Sequence, residues 1–217
     1  MDAFGALIDD EALSPAFRAI AMELPSERVI ADALPIIDPA AVHRARETVR
    51  EGLGIRWHSK LVNIIDACKL DGDYSPDSTS AGIRALKNTC YYYGVSTGNK
   101  TMVLRVRDQF NTANNLTDRL ASLSLIASSS TPTKNDTIVS ALKEWYGEPL
   151  LVNKWLTIQA TAPCFAGESP VVSRVAELSR SPFFSMANPN NVYALLLAFF
   201  MNNPAEFHRP DGEGYKF

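Results

Sequence analysis

The stretch SMANPNNVYALLLAFFMNNPAEFHRPDGEGYKF, Ser185 to Phe217, decides the fold. It carries two helix starts of one design, Asn188-Pro189 and Asn203-Pro204. In each, a small polar side chain stands where it can cap the first turn, and the proline behind it lacks an N–H that the first turn would leave unpaired anyway. Between them runs Val192 to Met201, apolar nearly all round, which predicts a helix buried on more than one side. Asp211, Gly212 and Gly214 then turn the chain.

Working outward, the same start recurs at Ser14-Pro15, Asp38-Pro39 and Ser169-Pro170. The segments between have helical periodicity. Leu116, Leu120, Leu123 and Ala127 form one stripe, Ile138, Leu142, Trp145 and Tyr146 a second, Val171, Val175 and Leu178 a third. The pattern predicts helices near 2–9, 14–23, 27–34, 39–70, 79–95, 98–111, 114–128, 133–146, 149–161, 170–180, 189–202 and 204–208. A break inside 39–70 is expected at Gly52 or Gly54, because glycine costs about 1 kcal/mol in a helix interior. No segment shows the strict alternation of a strand. Short connectors favour antiparallel helix pairs stacked side by side, without an exact internal repeat. The fold class is therefore all-α.

Three blocks add a resemblance. The pattern NPNNVYALLLAF at 188–199, followed by Asn203, Phe207-His208 and DGEGY at 211–215, resembles N-P-N-R-x-R-x-L-x-x-A-F, N, F-H and D-G-S-G-Y. That series lies near the end of the zinc aminopeptidases of the alanyl aminopeptidase (aminopeptidase N) family. FNTANNLTDRLASLSLI at 110–126 is similar to the family's F-x-x-A-x-N-x-T-D-x-x-A-A-L, and WYGEPLLVNKWLTIQA at 145–160 to W-x-x-x-P-L-V-x-D-K-W-F-x-x-Q-A. Weaker likeness runs through IIDPAAVHRARETVR at 36–50 and RALKNTCYYY at 84–93. The resemblance implies that residues 1–217 are the family's C-terminal helical domain, a HEAT/armadillo-like superhelix, truncated at its C-terminal end.

Composition narrows the function by exclusion. With 217 residues, 46% hydrophobic and 21% charged, the chain is an ordinary globular mixture able to bury a core. A net charge of −3 lacks the basic excess of a nucleic-acid binder. The Val192–Met201 run is about half of the ~20 residues that span a bilayer, so no membrane association is expected. The acidic start MDAFGALIDDEAL is unlike a signal peptide, which points to a cytoplasmic location. Cys68, Cys90 and Cys164 have no C-x-x-C spacing and read as buried thiols.

The search for catalytic chemistry is negative. His43, His58 and His208 do not form H-E-x-x-H, the spacing that sets two imidazoles on one helical face around zinc. The resembling family's G-x-M-E-N loop is missing too, as is a G-x-S-x-G elbow around SLSLIASSS. Arg44, Arg46, Arg50, Arg56 and Lys60, interleaved with Glu47 and Glu51, read as a solvated helix face. Tyr91, Tyr92 and Tyr93 cannot share one face at about 100° per residue, so at least one is core. Trp145, Tyr146 and Trp155 are expected to staple the helix pair around Gly147–Pro149.

By resemblance, the family's zinc belongs to an upstream catalytic domain; no cofactor is expected in this chain, which should be inactive alone. The partners implied are that upstream domain and, for the parent enzyme, peptides. Self-association through the truncated end is a further expectation, through apolar surface at Leu196, Leu197, Phe200 and Met201. In the family the N-P-N-R-x-R arginines face the substrate cavity; here the two positions are Asn191 and Tyr193. Asn188, Asn191 and Tyr193 are thus the cavity-lining residues by resemblance. A plainer reading makes Asn188 a cap, Asn191 exposed and Tyr193 packed between helices. A freestanding helical-repeat module that binds a protein partner is the rival from another function class.

Overall fold

The computed structural model describes residues 2–70 and 72–217. The chain divides into two units, 1–33 with 44–125 and 34–43 with 126–217. All regular elements among the described residues are helical.

The first unit holds α1 (Asp2–Asp9), α2 (Pro15–Ala21), α3 (Glu27–Asp32), most of α4 (Pro39–Arg56), α5 (His58–Ala67), α6 (Ser78–Ser96), α7 (Lys100–Thr112) and most of α8 (Leu116–Ala127). Its centre is α6, which packs on α2, α5 and α7. Asp77 caps α6 by accepting from the Ser80 N–H at 2.9 Å. Leu86, Cys90 and Tyr93 project from α6 into a core completed by Leu61, Met102 and Val106. The Tyr93 hydroxyl donates to the Met22 carbonyl, and its ring meets Phe4 edge-on at 4.8 Å. Tyr91 is buried as well, and Tyr92 lies at the margin.

The expected break at Gly52 or Gly54 is not there. The helix runs through both glycines and ends at Arg56, with Trp57 at φ −107°, ψ 14° before α5. Gly54 serves packing instead: a Cβ there would collide with the Tyr93 carbonyl and Thr97. The missing side chain lets α4 approach α6, which outweighs glycine's helix cost.

The basic series on α4 and α5 is solvated at Arg44 and Arg56, as expected, but its members also make contacts beyond their own helix. Arg46 donates to the Tyr92 hydroxyl at 2.7 Å and to the Pro25 carbonyl at 2.8 Å. Arg50 sits over the Tyr92 ring at 4.5 Å and pairs with Glu47 at 2.6 Å. Arg56 reaches Asp2 at 3.1 Å, and Lys60 pairs with Asp9. These cations cross-link elements far apart in sequence, a use that local charge spacing does not reveal.

The second unit holds α9 (Lys134–Trp145), α10 (Pro149–Thr161), α11 (Val171–Leu178), α12 (Pro189–Val192), a π-helical stretch (Tyr193–Leu197), α13 (Ala198–Asn202), α14 (Pro204–Phe207) and α15 (Glu213–Lys216). Here α10 is central, packed by α9, α11, the π-helical stretch and α13. Leu156, Val171, Val175, Leu195 and Phe199 are among its fully buried side chains.

Two expected caps are corrected. Pro170, not Ser169, stands at the α11 N-cap, without a side-chain hydrogen bond. Asn203 precedes α14 but does not cap it; its Nδ2 turns inward and donates to the Ala160 carbonyl at the end of α10, at 3.1 Å. The Ser14 and Asp38 side chains do accept from first-turn N–H groups, at 3.3 and 3.0 Å. Beyond Gly212, in the left-handed region at φ +71°, the short α15 forms where no helix is predicted.

Candidate functional site

The sequence-predicted residues lie in the second unit, around the start of α12. Asn188 accepts from the Asn190 N–H at 3.0 Å and caps the helix that Pro189 opens. Asn191, one turn on, is 7% exposed. Its amide is used at both ends: Oδ1 accepts from the Ser185 N–H at 3.0 Å, and Nδ2 donates to Asn153 Oδ1 on α10 at 2.7 Å. Asn191 is therefore neither a solvent-exposed residue nor a free polar head, and its hydrogen bonds tie the 185–188 turn and α12 to α10.

Tyr193 has the opposite environment. It is 60% exposed and is not packed between helices. Leu197 and Met201 are exposed one and two turns further along the same helix, whereas Leu195 and Phe199 are fully buried. The helix predicted to be buried on several sides thus keeps one open apolar stripe with a phenol at its head. The π-helical stretch Tyr193–Leu197 starts at this tyrosine. Such wide turns recur at functional sites.

Beside Asn188 and Asn191 opens a cleft of about 310 Å³, lined also by Tyr146, Pro149, Phe183 and Ser185. Tyr193 does not line it. The α9–α10 turn builds one wall. Pro149 occupies the first turn of α10, where its missing N–H is harmless. Trp155 Nε1 donates to the Ile138 carbonyl at 2.9 Å and locks α10 onto α9. Phe183 meets Trp155 edge-on at 5.6 Å and Tyr146 at 6.5 Å. Trp145 and Trp155 are the staple expected here, while Tyr146 is exposed at the cleft edge.

Two features escaped the sequence reading. Asn153 is one, although it stands where the resembling block has aspartate. The other is an ion pair under the 162–170 loop. Lys134 is 4% exposed, pairs with Glu168 and lies 4.6 Å from the Phe165 ring centre. Burial works to raise the Glu168 carboxyl, but the hydrogen bonds from Lys134 and the Phe165 N–H outweigh it and hold it below the usual range. Across that loop, Arg174 of α11 donates to the Gln159 and Ala162 carbonyls at the end of α10.

His208 bonds to the Tyr215 hydroxyl, and among the described residues no group of three His, Cys, Asp or Glu side chains is placed to hold a metal ion. The zinc implied by resemblance has no fitting ligand set here. In the first unit a polar cleft of about 510 Å³ is lined by Arg84, Lys87, Arg105, Asp66 and Asp118. Lys87 pairs there with Asp118, and Arg105 with Asp66. No helix among the described residues is long and apolar enough to cross a membrane.

Residues 1–217 match the family described as "Domain of unknown function (DUF3458_C) ARM repeats". The chain is 33% identical over 217 residues to aminopeptidase N of Caulobacter vibrioides, covering 100% of this chain and 25% of that protein. It is 33% identical to aminopeptidase N of Escherichia coli over 216 residues, covering 24% of that protein. Among solved structures it resembles Legionella pneumophila aminopeptidase A in complex with aspartic acid, at 28% identity and TM-score 0.84, covering 98% of this chain and 26% of that one. The chain spans about a quarter of the length of these relatives. It belongs to the DUF3458_C family of ARM-repeat domains, the C-terminal helical domain of aminopeptidase N-type proteins.

Proposed function

We propose that this chain is the non-catalytic helical domain of a zinc-dependent aminopeptidase that removes N-terminal residues from peptides, and that it closes the substrate cavity so that only short peptides enter. The observation that carries the reading is the likeness along the whole chain to one quarter of aminopeptidase N. The metal and its general base belong to the parent's catalytic domain, because this chain holds neither motif. In this reading Tyr193 faces the cavity and offers a peptide a ring and a hydroxyl where the family pattern has a guanidinium. Asn188 and Asn191 stand behind it and hold its helix in place. The exposed Leu197 and Met201 then lie against the parent's own upstream domain.

A chimera tests this. The corresponding quarter of Caulobacter vibrioides aminopeptidase N is exchanged for residues 1–217, and cleavage of an alanyl-arylamide, a tetrapeptide and a long unfolded polypeptide is compared. The proposal expects cleavage of the two short substrates and exclusion of the long one, with Tyr193→Ala changing the tetrapeptide KM more than the arylamide KM. Equal turnover of all three by the chimera and by an enzyme lacking this quarter would refute cavity closure. It would favour the freestanding interaction module.

A further inference from the structure

Two departures from the resembling motifs meet in space. In the 145–160 block, Asn153 stands where the pattern reads aspartate; in the 188–199 block, Asn191 stands where it reads arginine. The blocks are 38 residues apart, yet Asn191 Nδ2 donates to Asn153 Oδ1 at 2.7 Å. We infer that Asn153 and Asn191 are one matched pair of positioning residues, a neutral replacement for an aspartate–arginine ion pair, so that the charge missing at Asn191 is not a charge withdrawn from substrate.

The physical case rests on burial. A guanidinium in the place of the Asn191 amide would be largely out of water, and a buried cation persists only beside a counter-charge. An aspartate at 153 supplies that charge, and an arginine at 191 satisfies the aspartate in return. Losing either alone leaves an unpaired ion, whereas exchanging both for amides leaves a donor facing an acceptor. The cleft of about 310 Å³ that touches Asn191 gives an arginine's greater length somewhere to go. The amide pair also does what an arginine cannot, since Asn191 Oδ1 accepts from the Ser185 N–H while guanidinium has no acceptor. The pairing is argued from contacts within this chain and stands apart from the cavity reading. Its consequence for ligands rests on that reading: of the two arginine positions in the N-P-N-R-x-R element, only the one occupied by Tyr193 is free to meet a peptide.

The test is a pair of double-mutant cycles on the 217-residue chain, read by urea denaturation. Asn153→Asp and Asn191→Arg should each lower stability, and the double variant should be more stable than their sum predicts, its unfolding constant lying about tenfold below the product of the two single effects. That surplus should be present above about pH 4 and be lost as pH falls further and the introduced carboxylate protonates, a pH profile that a merely steric compensation would not show. The milder cycle, Asn153→Ala with Asn191→Ala, covers the case in which a charged single variant does not fold; there the double should cost no more than the worse single. Additive effects in the alanine cycle, or a charged surplus that is absent or indifferent to pH, would overturn the inference. Because no peptide or parent enzyme enters the measurement, its failure is distinct from failure of cavity closure.

Discussion

Lys87 Nζ lies 2.7 Å from Asp118 Oδ2, joining α6 to α8 with both side chains largely shielded from water. Asp118 takes further hydrogen bonds from Asn88 at 2.8 Å and from its own cap, Asn115. Gln109 continues the network to Asn88 and Ser122, each at 2.9 Å. A buried pair of this kind makes partner loss costly, because the remaining charge is stranded. Asp118→Ala should therefore destabilise the chain by about 3–5 kcal/mol. Urea denaturation checks this; a loss under about 1 kcal/mol would show that solvent reaches Lys87 easily.

Glycine substitutions should separate packing from chain entropy. At Gly54 a Cβ would meet the Tyr93 backbone carbonyl, which cannot move aside, so Gly54→Ala should destabilise strongly. At Gly147 nothing stands near the added methyl, and Gly147→Ala should be neutral or stabilising by about 0.4–1 kcal/mol. Comparing the two thermal midpoints tests the assignment of Gly54 to helix approach.

The helix of Tyr193 and Phe199 has two unlike faces. Phe199 is fully buried and rings with Phe207 at 5.7 Å, so Phe199→Ala should cost about 3–5 kcal/mol. Tyr193→Ala should stay within about 0.5 kcal/mol of the parent chain. A large loss at Tyr193 would mean that its ring supports the fold rather than a ligand.

Acid should weaken the Lys134–Glu168 clasp. The Glu168 carboxyl titrates below its unfolded value, so its contribution is fully present above about pH 4.3 and is lost as pH falls through the depressed folded value. Lys134→Met and Glu168→Gln should each flatten the fall in melting temperature between pH 6 and pH 3. An unchanged slope in both would rule the clasp out as its source.

Burial pushes the Cys90 thiol up to about 12, with Cys68 adding to the rise and Arg18 opposing it. Since the thiolate is the reactive form, Cys90 should resist alkylation at pH 8 until the chain unfolds. Mass spectrometry of the labelled native protein checks this; early labelling of Cys90 would reveal local opening around α6.

Most helices were legible because their signals are local. Ser14, Asp38 and Asn188 combine a polar cap with a following proline, and one turn of chain satisfies the hydrogen bond. Stripes such as Val171 and Val175 need only the helical period to mark a buried face. Errors fell where distant chain intervened. Gly54 looked like a breaker because its value lies in how near Tyr93 it sits, and Asn203 looked like a cap because its true partner, Ala160, is 43 residues away.

The sequence by itself determined the all-α class, the order of the helices and, through three ordered motifs, the family, since propensity, capping and motif spacing are properties of the chain read in line. Tertiary structure alone decided the roles of the candidate residues. Asn191 and Tyr193 are two positions apart and carry similar polar tips, yet packing against α10 buries one against Asn153 and leaves the other in solvent. A helix places successive side chains about 100° apart, so which of them meets a neighbour depends on where that neighbour stands, and no local pattern encodes that position.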